Sequence, residues 1–166
     1  MNNIAIQLLT LFGIGKIKYA PGTVASFTTC LIYFICLHLG VHLMTLLVSF
    51  FIILIISIIF INKYSSSFSE IDSKEIVIDE YLGQSIPILL LYYQIQMGDP
   101  EFFWIYLLIV FFLFRVFDIF KPFPINIIDK KMKNGLGVVL DDIIAGVYAF
   151  CASCFTLYIY VEYFMD

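Results

Sequence analysis

YAPGTVASFTTCLIYFICLHLGVHLMTLLVSFFIILIISIIFIN, running from Tyr19 to Asn62, contains no Asp, Glu, Lys or Arg. At ~1.5 Å per helical residue it is long enough for two crossings of a ~30 Å hydrocarbon core. Its opening Tyr19-Ala20-Pro21-Gly22-Thr23 is a breaker, after which apolar sequence runs from Val24 to Leu39. His38, Gly40 and His42 interrupt that run, and a second apolar segment continues from Leu43 to Ile61. The pattern predicts a membrane hairpin closed by a tight turn.

The rest of the chain agrees. Of its 166 residues 62% are apolar and only 13% are charged, about half the usual charged share, and a soluble domain this small could not bury so much apolar surface. No basic tract suits nucleic acid. The four cysteines, Cys30, Cys36, Cys151 and Cys154, lie in apolar stretches and are expected to pack rather than bind zinc, which would need further partners for Cys151-x-x-Cys154. The apolar Ile4–Phe12 run follows no basic region and is expected to form a short N-terminal or interfacial helix, not a cleaved signal.

Beyond Asn62 the chain turns polar through Ser65, Ser66, Ser67 and Ser69, which reads as an exposed connection. Asp72 with Glu75 three residues on resembles a helix start. That helix would carry Asp79 and Glu80 early, pass Gly83, kink at Pro87 and reach about Met97. Gly98-Asp99-Pro100-Glu101 reads as an acidic turn, and Phe102–Phe120 as the next apolar helix, stopped by Lys121-Pro122-Phe123-Pro124. A polar stretch with Asp129, Lys130, Lys131 and Lys133 then leads through Gly135 and Gly137 to a last helix from Asp141-Asp142 to about Val161. The fold class expected is an all-α polytopic membrane protein, one domain over residues 1–166, with about four spanning segments, one of them broken or kinked, and a short N-terminal helix.

Placing Lys16 and Lys18 inside puts Lys63, Lys74, Arg115, Lys121, Lys130, Lys131 and Lys133 on the same side, so all nine basic residues agree with the preference of positive charge for the cytoplasmic face. Asp79, Glu80, Arg115, Asp118, Asp141 and Asp142 then share one layer at the cytoplasmic ends of apolar helices. Each alone could be a solvated helix end. Five acids with only Arg115 and Lys121 nearby are harder to satisfy by ion pairing, and a divalent metal would resolve the surplus. All-oxygen ligands without histidine suit magnesium, which commonly keeps water and substrate phosphate in its shell.

Alternative readings stand beside that one. Arg115, Asp118 and Lys121 at spacings of three could form a plain ion-pair ladder, or the two cations could face a phosphate. Asp141 and Asp142 are expected at a helix N-terminus, where capping is the simple explanation; lying ~100° apart on the helix, they need not both reach a metal. Gly83 and Gly146, each four residues after an acid, would let helices approach closely. Gly135-x-Gly137 could offer amides to phosphate or form an ordinary turn. A cation or proton pathway is disfavoured because the ionisable groups lie at one face, whereas transporters place theirs near mid-membrane. A non-catalytic membrane assembly subunit would need no metal.

Four blocks of this sequence resemble the phosphatidylglycerophosphatase A family, in its order and over most of the chain. They are Gly13-Ile14-Gly15-Lys16 with Ala20-Pro21-Gly22-Thr23 and Ser26; Ile76-Val77-Ile78-Asp79-Glu80 with Gly83; Phe114-Arg115-Val116-Phe117-Asp118 with Lys121-Pro122-Phe123-Pro124; and Gly137-Val138 with Asp141-Asp142-Ile143-Ile144-Ala145-Gly146. The chain departs from the family's pattern at Ala25, where a glycine is expected, and at Asn134, where a second glycine often precedes Gly135. The resemblance implies a Mg2+-dependent hydrolase of the bacterial inner membrane, converting the lipid phosphatidylglycerophosphate to phosphatidylglycerol and inorganic phosphate on the cytoplasmic face. Asp79, Asp141 and Asp142 or Asp118 are then expected at the metal. Arg115, with Lys121 or Lys16 and with Thr23, is expected at the phosphate, and Glu80 at the attacking water. An aspartyl-phosphate route stays open, while the only histidines lie at the opposite face from the acids.

Overall fold

The computed structural model describes residues 2–64, 68, 73–92 and 100–164. Seven α-helices and no strand occur among them: α1 (Asn2–Leu9), α2 (Pro21–His38), α3 (Leu43–Tyr64), α4 (Ile78–Leu90), α5 (Pro100–Phe120), α6 (Ile125–Lys131) and α7 (Gly135–Phe164), with a 3-10 turn at Ile14–Lys16. Four helices are long and apolar enough to cross a membrane, over Pro21–His38, Leu43–Tyr64, Phe103–Phe120 and Gly135–Tyr158, which fits a membrane protein.

The predicted hairpin is α2 and α3. Pro21 opens α2 at a position where a missing N–H costs nothing, after Ala20 at φ 46°. Gly40, at φ 65°, turns the chain between the two helices, and the Val41 amide donates to the Cys36 carbonyl at 2.9 Å. On α3 only Leu46, Phe50, Ser57 and Ile61 are buried, spacings of four, seven and four that mark a single inward stripe. Met44, Val48, Phe51, Ile52, Ile55 and Ile59 are exposed, as a lipid-facing surface requires.

The helix around Pro87 differs from expectation. Residues 73–77 are not helical, so α4 starts at Ile78 rather than near Asp72. The reason is a turn and a tether: the Ile76 amide donates to the Ser73 carbonyl at 2.8 Å, and the Val77 amide donates to the Leu9 carbonyl at 3.0 Å, holding the chain against the end of α1. With thirteen residues, α4 is ~20 Å long and shorter than a full crossing. It is also the most enclosed helix. Ten of its residues are buried, packed by α2, α3, α5 and α7. The four long helices therefore form a wall around a short central one. The Tyr92 hydroxyl, just past its end, donates to the Val41 carbonyl at 2.6 Å, at the level of the α2–α3 turn. The parts of that expectation that fall on residues 65–67, 69–72 and 93–99 lie outside the described residues, while Pro100 and Glu101, expected in a turn, open α5.

Proline has no N–H, so Pro87 leaves the carbonyl of Gly83, four residues back, without its helical donor. There α7 comes closest. A Cβ on Gly146 would collide with the Gly83 oxygen, and one on Gly83 would sit 2.6 Å from both the Asp142 oxygen and the Phe114 ring. The small residues thus bring α4 and α7 into the most extensive helix pair of the fold.

The last helix begins six residues earlier than predicted, at Gly135. Asn134 is the cause: its side-chain oxygen accepts from the Gly137 amide at 2.9 Å, the geometry of an N-cap. The Gly135 amide donates to the Asn62 side chain at 2.7 Å. Both glycine amides are engaged within the protein, and Asp141 and Asp142 lie two turns inside the helix instead of at its start. The departure at Ala25 is a fully buried side chain in α2.

Candidate active site

The first turn of α4 presents Asp79 and Glu80, and the second turn of α7 presents Asp141 and Asp142. Asp79, Asp141 and Asp142 keep only 7%, 5% and 5% of their surface exposed. Because Gly83 lets the α7 backbone pass at Asp142, carboxylate oxygens of Asp79, Glu80 and Asp142 come within 4.8 Å of one another. A cleft of about 250 Å³ opens onto this group, with Asp118, Asp141, Lys121, Ser73 and Lys74 along its sides.

Arg115, near the end of α5, places Nη1 2.6 Å from Asp118 Oδ2 and 4.0 Å from Glu80 Oε1, and donates to Ser26 Oγ at 3.5 Å. Gly22, in the first turn of α2, lies against the Glu80–Arg115 pair: a Cβ there would clash with Glu80 Oε1 and come 3.2 Å from Arg115 Nη1. That turn thus backs the site without a side chain of its own.

Of the ion-pair ladder only one rung exists. Arg115 pairs with Asp118, but Lys121 does not continue the series. α5 stops at Phe120 and Lys121 adopts φ 42°, which turns its side chain off the helix face. Its ammonium instead lies 2.9 Å from Asp129 of α6 and 2.7 Å from Asp141 of α7. Burial lowers the proton affinity of Lys121, but the hydrogen bonds and charges of Asp141 and Asp129 outweigh it and hold the ammonium above the usual lysine pKa.

The two adjacent aspartates accordingly do different work. Asp142 joins Asp79 and Glu80, while Asp141 points to Lys121. Thr23 is half-buried beside Gly22, and Lys16 is exposed in the 3-10 turn whose Gly15 backs onto the Glu75 carbonyl. Ser26, Ser73 and Asp129 were not expected among the residues that touch the layer. Ser26 sits four residues after Gly22 and so on its helix face, a signal the spacing carries; Asp129 reaches the site only through the turn at Lys121, which has no periodic signature.

The donor set fits a hard divalent cation. Three carboxylates converge in a buried place, and Glu80 Oε2 is buried with no hydrogen-bond partner in the protein. Concentrating that much negative charge away from water is costly unless a cation offsets it. Oxygen donors alone favour Mg2+ or a similar ion over zinc.

The family model for phosphatidylglycerophosphatase A matches residues 7–157. The chain belongs to the phosphatidylglycerophosphatase A family. It is 36% identical to a phosphatidylglycerophosphatase A from Haemophilus influenzae, over 87% of this chain and 83% of that protein. A Bacteroides thetaiotaomicron protein named "Putative phosphatidylinositol-3-phosphatase" is 33% identical over 89% of each chain. Phosphatidylglycerophosphatase A from Escherichia coli is 29% identical over 89% of this chain and 80% of its own. No solved structure matches.

Proposed function

We propose that this member of the family is a membrane-embedded lipid phosphatase that hydrolyses phosphatidylglycerophosphate to phosphatidylglycerol and inorganic phosphate in the bacterial inner membrane. The observation that carries the reading is the convergence of Asp79, Glu80 and Asp142 beside Arg115, at one end of an apolar helical bundle. A substrate whose tails lie in the bilayer would bring its phosphate to such a place and nowhere deeper. The unanimous basic side supports putting the layer on the cytoplasmic face.

Asp79 and Asp142, with Glu80, would hold the cation, and Asp141 is committed to Lys121. Bound Mg2+ would supply charge stabilisation for the phosphoryl oxygens. Arg115 has donors to spare, since its buried Nε has no partner, and it would bind the non-bridging oxygens with Lys121. Lys16 and Thr23, in the segment whose Gly22 lies against Glu80 and Arg115, would be additional phosphate donors. In an in-line displacement, water forms the new P–O bond as the bond to the glycerol oxygen breaks. Glu80 takes the water's proton on Oε2, and the departing glycerol oxygen takes a proton from solvent.

Detergent-purified protein should release phosphate from phosphatidylglycerophosphate in the presence of Mg2+. Phosphatidylinositol 3-phosphate, the substrate class in the Bacteroides relative's name, is the comparison. Faster release from that lipid would reassign the substrate, and no release from either would leave a non-catalytic role.

A further inference from the structure

Lys121 is held from two sides. Its Nζ bonds to Asp141 Oδ2 in α7 and to Asp129 Oδ1 in α6, and the three side chains keep 28%, 6% and 24% of their surface. An ammonium has three donors, so these two carboxylates leave one, and Lys121 is itself part of the cleft wall. A four-carbon side chain on a residue just outside its helix would otherwise lose its position to rotamer freedom.

We infer that Asp129 is a positioning residue, which fixes Lys121 so that its remaining N–H faces the substrate phosphate. Asp141 alone could not do this: a lysine with one partner would collapse onto it, toward the metal-binding acids. Nor is Asp129 needed to dock α6. Ile125 is fully buried, and the Tyr148 hydroxyl donates to the Phe123 carbonyl at 2.9 Å, so the segment is anchored at its other end. The geometry accounts for the detour after α5: the chain leaves the helix at Lys121 and returns one short helix later with the carboxylate that holds it.

The inference rests on the phosphatase reading above, and a double-mutant cycle separates the two. Wild type, Asp129→Ala, Lys121→Met and the double variant would be purified in detergent and assayed on phosphatidylglycerophosphate with Mg2+, with orthovanadate inhibition and thermal unfolding alongside. Asp129→Ala should lower kcat/KM by about tenfold, chiefly through KM, and weaken vanadate by a similar factor. In the Lys121→Met background the same change should cost less than about twofold, because nothing is left to position. An undiminished cost in that background would make Asp129 a structural residue, and unchanged kcat/KM in the single variant would remove it from the site; either result overturns the inference. Should Asp129→Ala lose its cooperative unfolding transition, Asp129→Asn, which keeps shape and loses charge, takes its place in the cycle with the same expectations. An inactive wild type would instead sink the phosphatase reading, and this proposal with it.

Discussion

Gly83 of α4 and Asp142 of α7 meet backbone to backbone: the space for a Cβ at Gly83 ends 2.6 Å from the Asp142 main-chain carbonyl oxygen. The helix-to-helix distance that assembles the carboxylates is therefore set by a missing methyl group. Gly83→Ala should force the helices apart or displace the Phe114 ring, costing about 1–3 kcal/mol as overpacking does. Activity should fall with it, since Asp142 moves away from Asp79 and Glu80. A variant with wild-type thermal unfolding and wild-type turnover would show that the close approach is incidental.

Asp79→Asn keeps the shape of the side chain and removes the charge that a cation needs. Phosphate release should drop below about a tenth of wild type, the order of effect expected for a lost metal ligand, with the unfolding transition retained. Higher residual activity would take Asp79 out of the metal set.

Metal removal tests the same group from the other side. Chelation should abolish phosphate release and Mg2+ should restore it. Binding to the folded state alone should also raise the unfolding temperature of wild-type protein, and this shift should shrink in Asp142→Asn. Equal shifts in both would place the ion elsewhere.

For Arg115→Lys a loss of at least about tenfold is expected. Arg115 spends Nη1 on Asp118 and approaches Glu80, leaving other donors of its planar fork for a phosphate, and an ammonium cannot fill both tasks. Near-normal turnover would leave Arg115 as only an ion-pair partner.

The parts of this fold legible in the sequence are those set by periodicity and by solvent. The α2–α3 hairpin, α5 and the single layer of acids follow from where charge is missing, and Gly83 and Gly146 were marked by their spacing from Asp79 and Asp142. What was not legible depends on single side chains acting across the fold. Asn134 starts α7 early by capping Gly137, Leu9 delays α4 by accepting from Val77, and the φ of Lys121 sends its ammonium to Asp129 and Asp141 instead of Asp118. The acids divide in a way periodicity does not encode: carboxylates of Glu80, Asp79 and Asp142 converge, while Asp141, expected from sequence at the metal, pairs with Lys121. Neighbours in sequence lie ~100° apart on a helix, and although Asp141 and Asp142 both line the cleft, only their partners tell them apart.

The orientation of the bundle is the expectation on which the cellular role depends, because a phosphatase acting on a lipid of the cytoplasmic leaflet must present its acids there. His42, in the exposed turn between α2 and α3, and Lys131, at the exposed end of α6, lie at opposite ends of the bundle. In a background lacking the four native cysteines, His42→Cys should react with a membrane-impermeant thiol reagent in cells whose outer membrane has been made permeable. Lys131→Cys should react only after the inner membrane is broken. The asymmetry behind this is large: all nine lysines and arginines fall on the side of the acids, and the α2–α3 turn carries none. Desolvating and translocating that many cations is the less favourable course for an inserting chain, so the opposite orientation would need a force that the sequence does not supply. Labelling of Lys131→Cys from the outside, with His42→Cys protected, would put Asp79, Glu80 and Asp142 on the far face and remove the support for a phosphatase of the cytoplasmic leaflet.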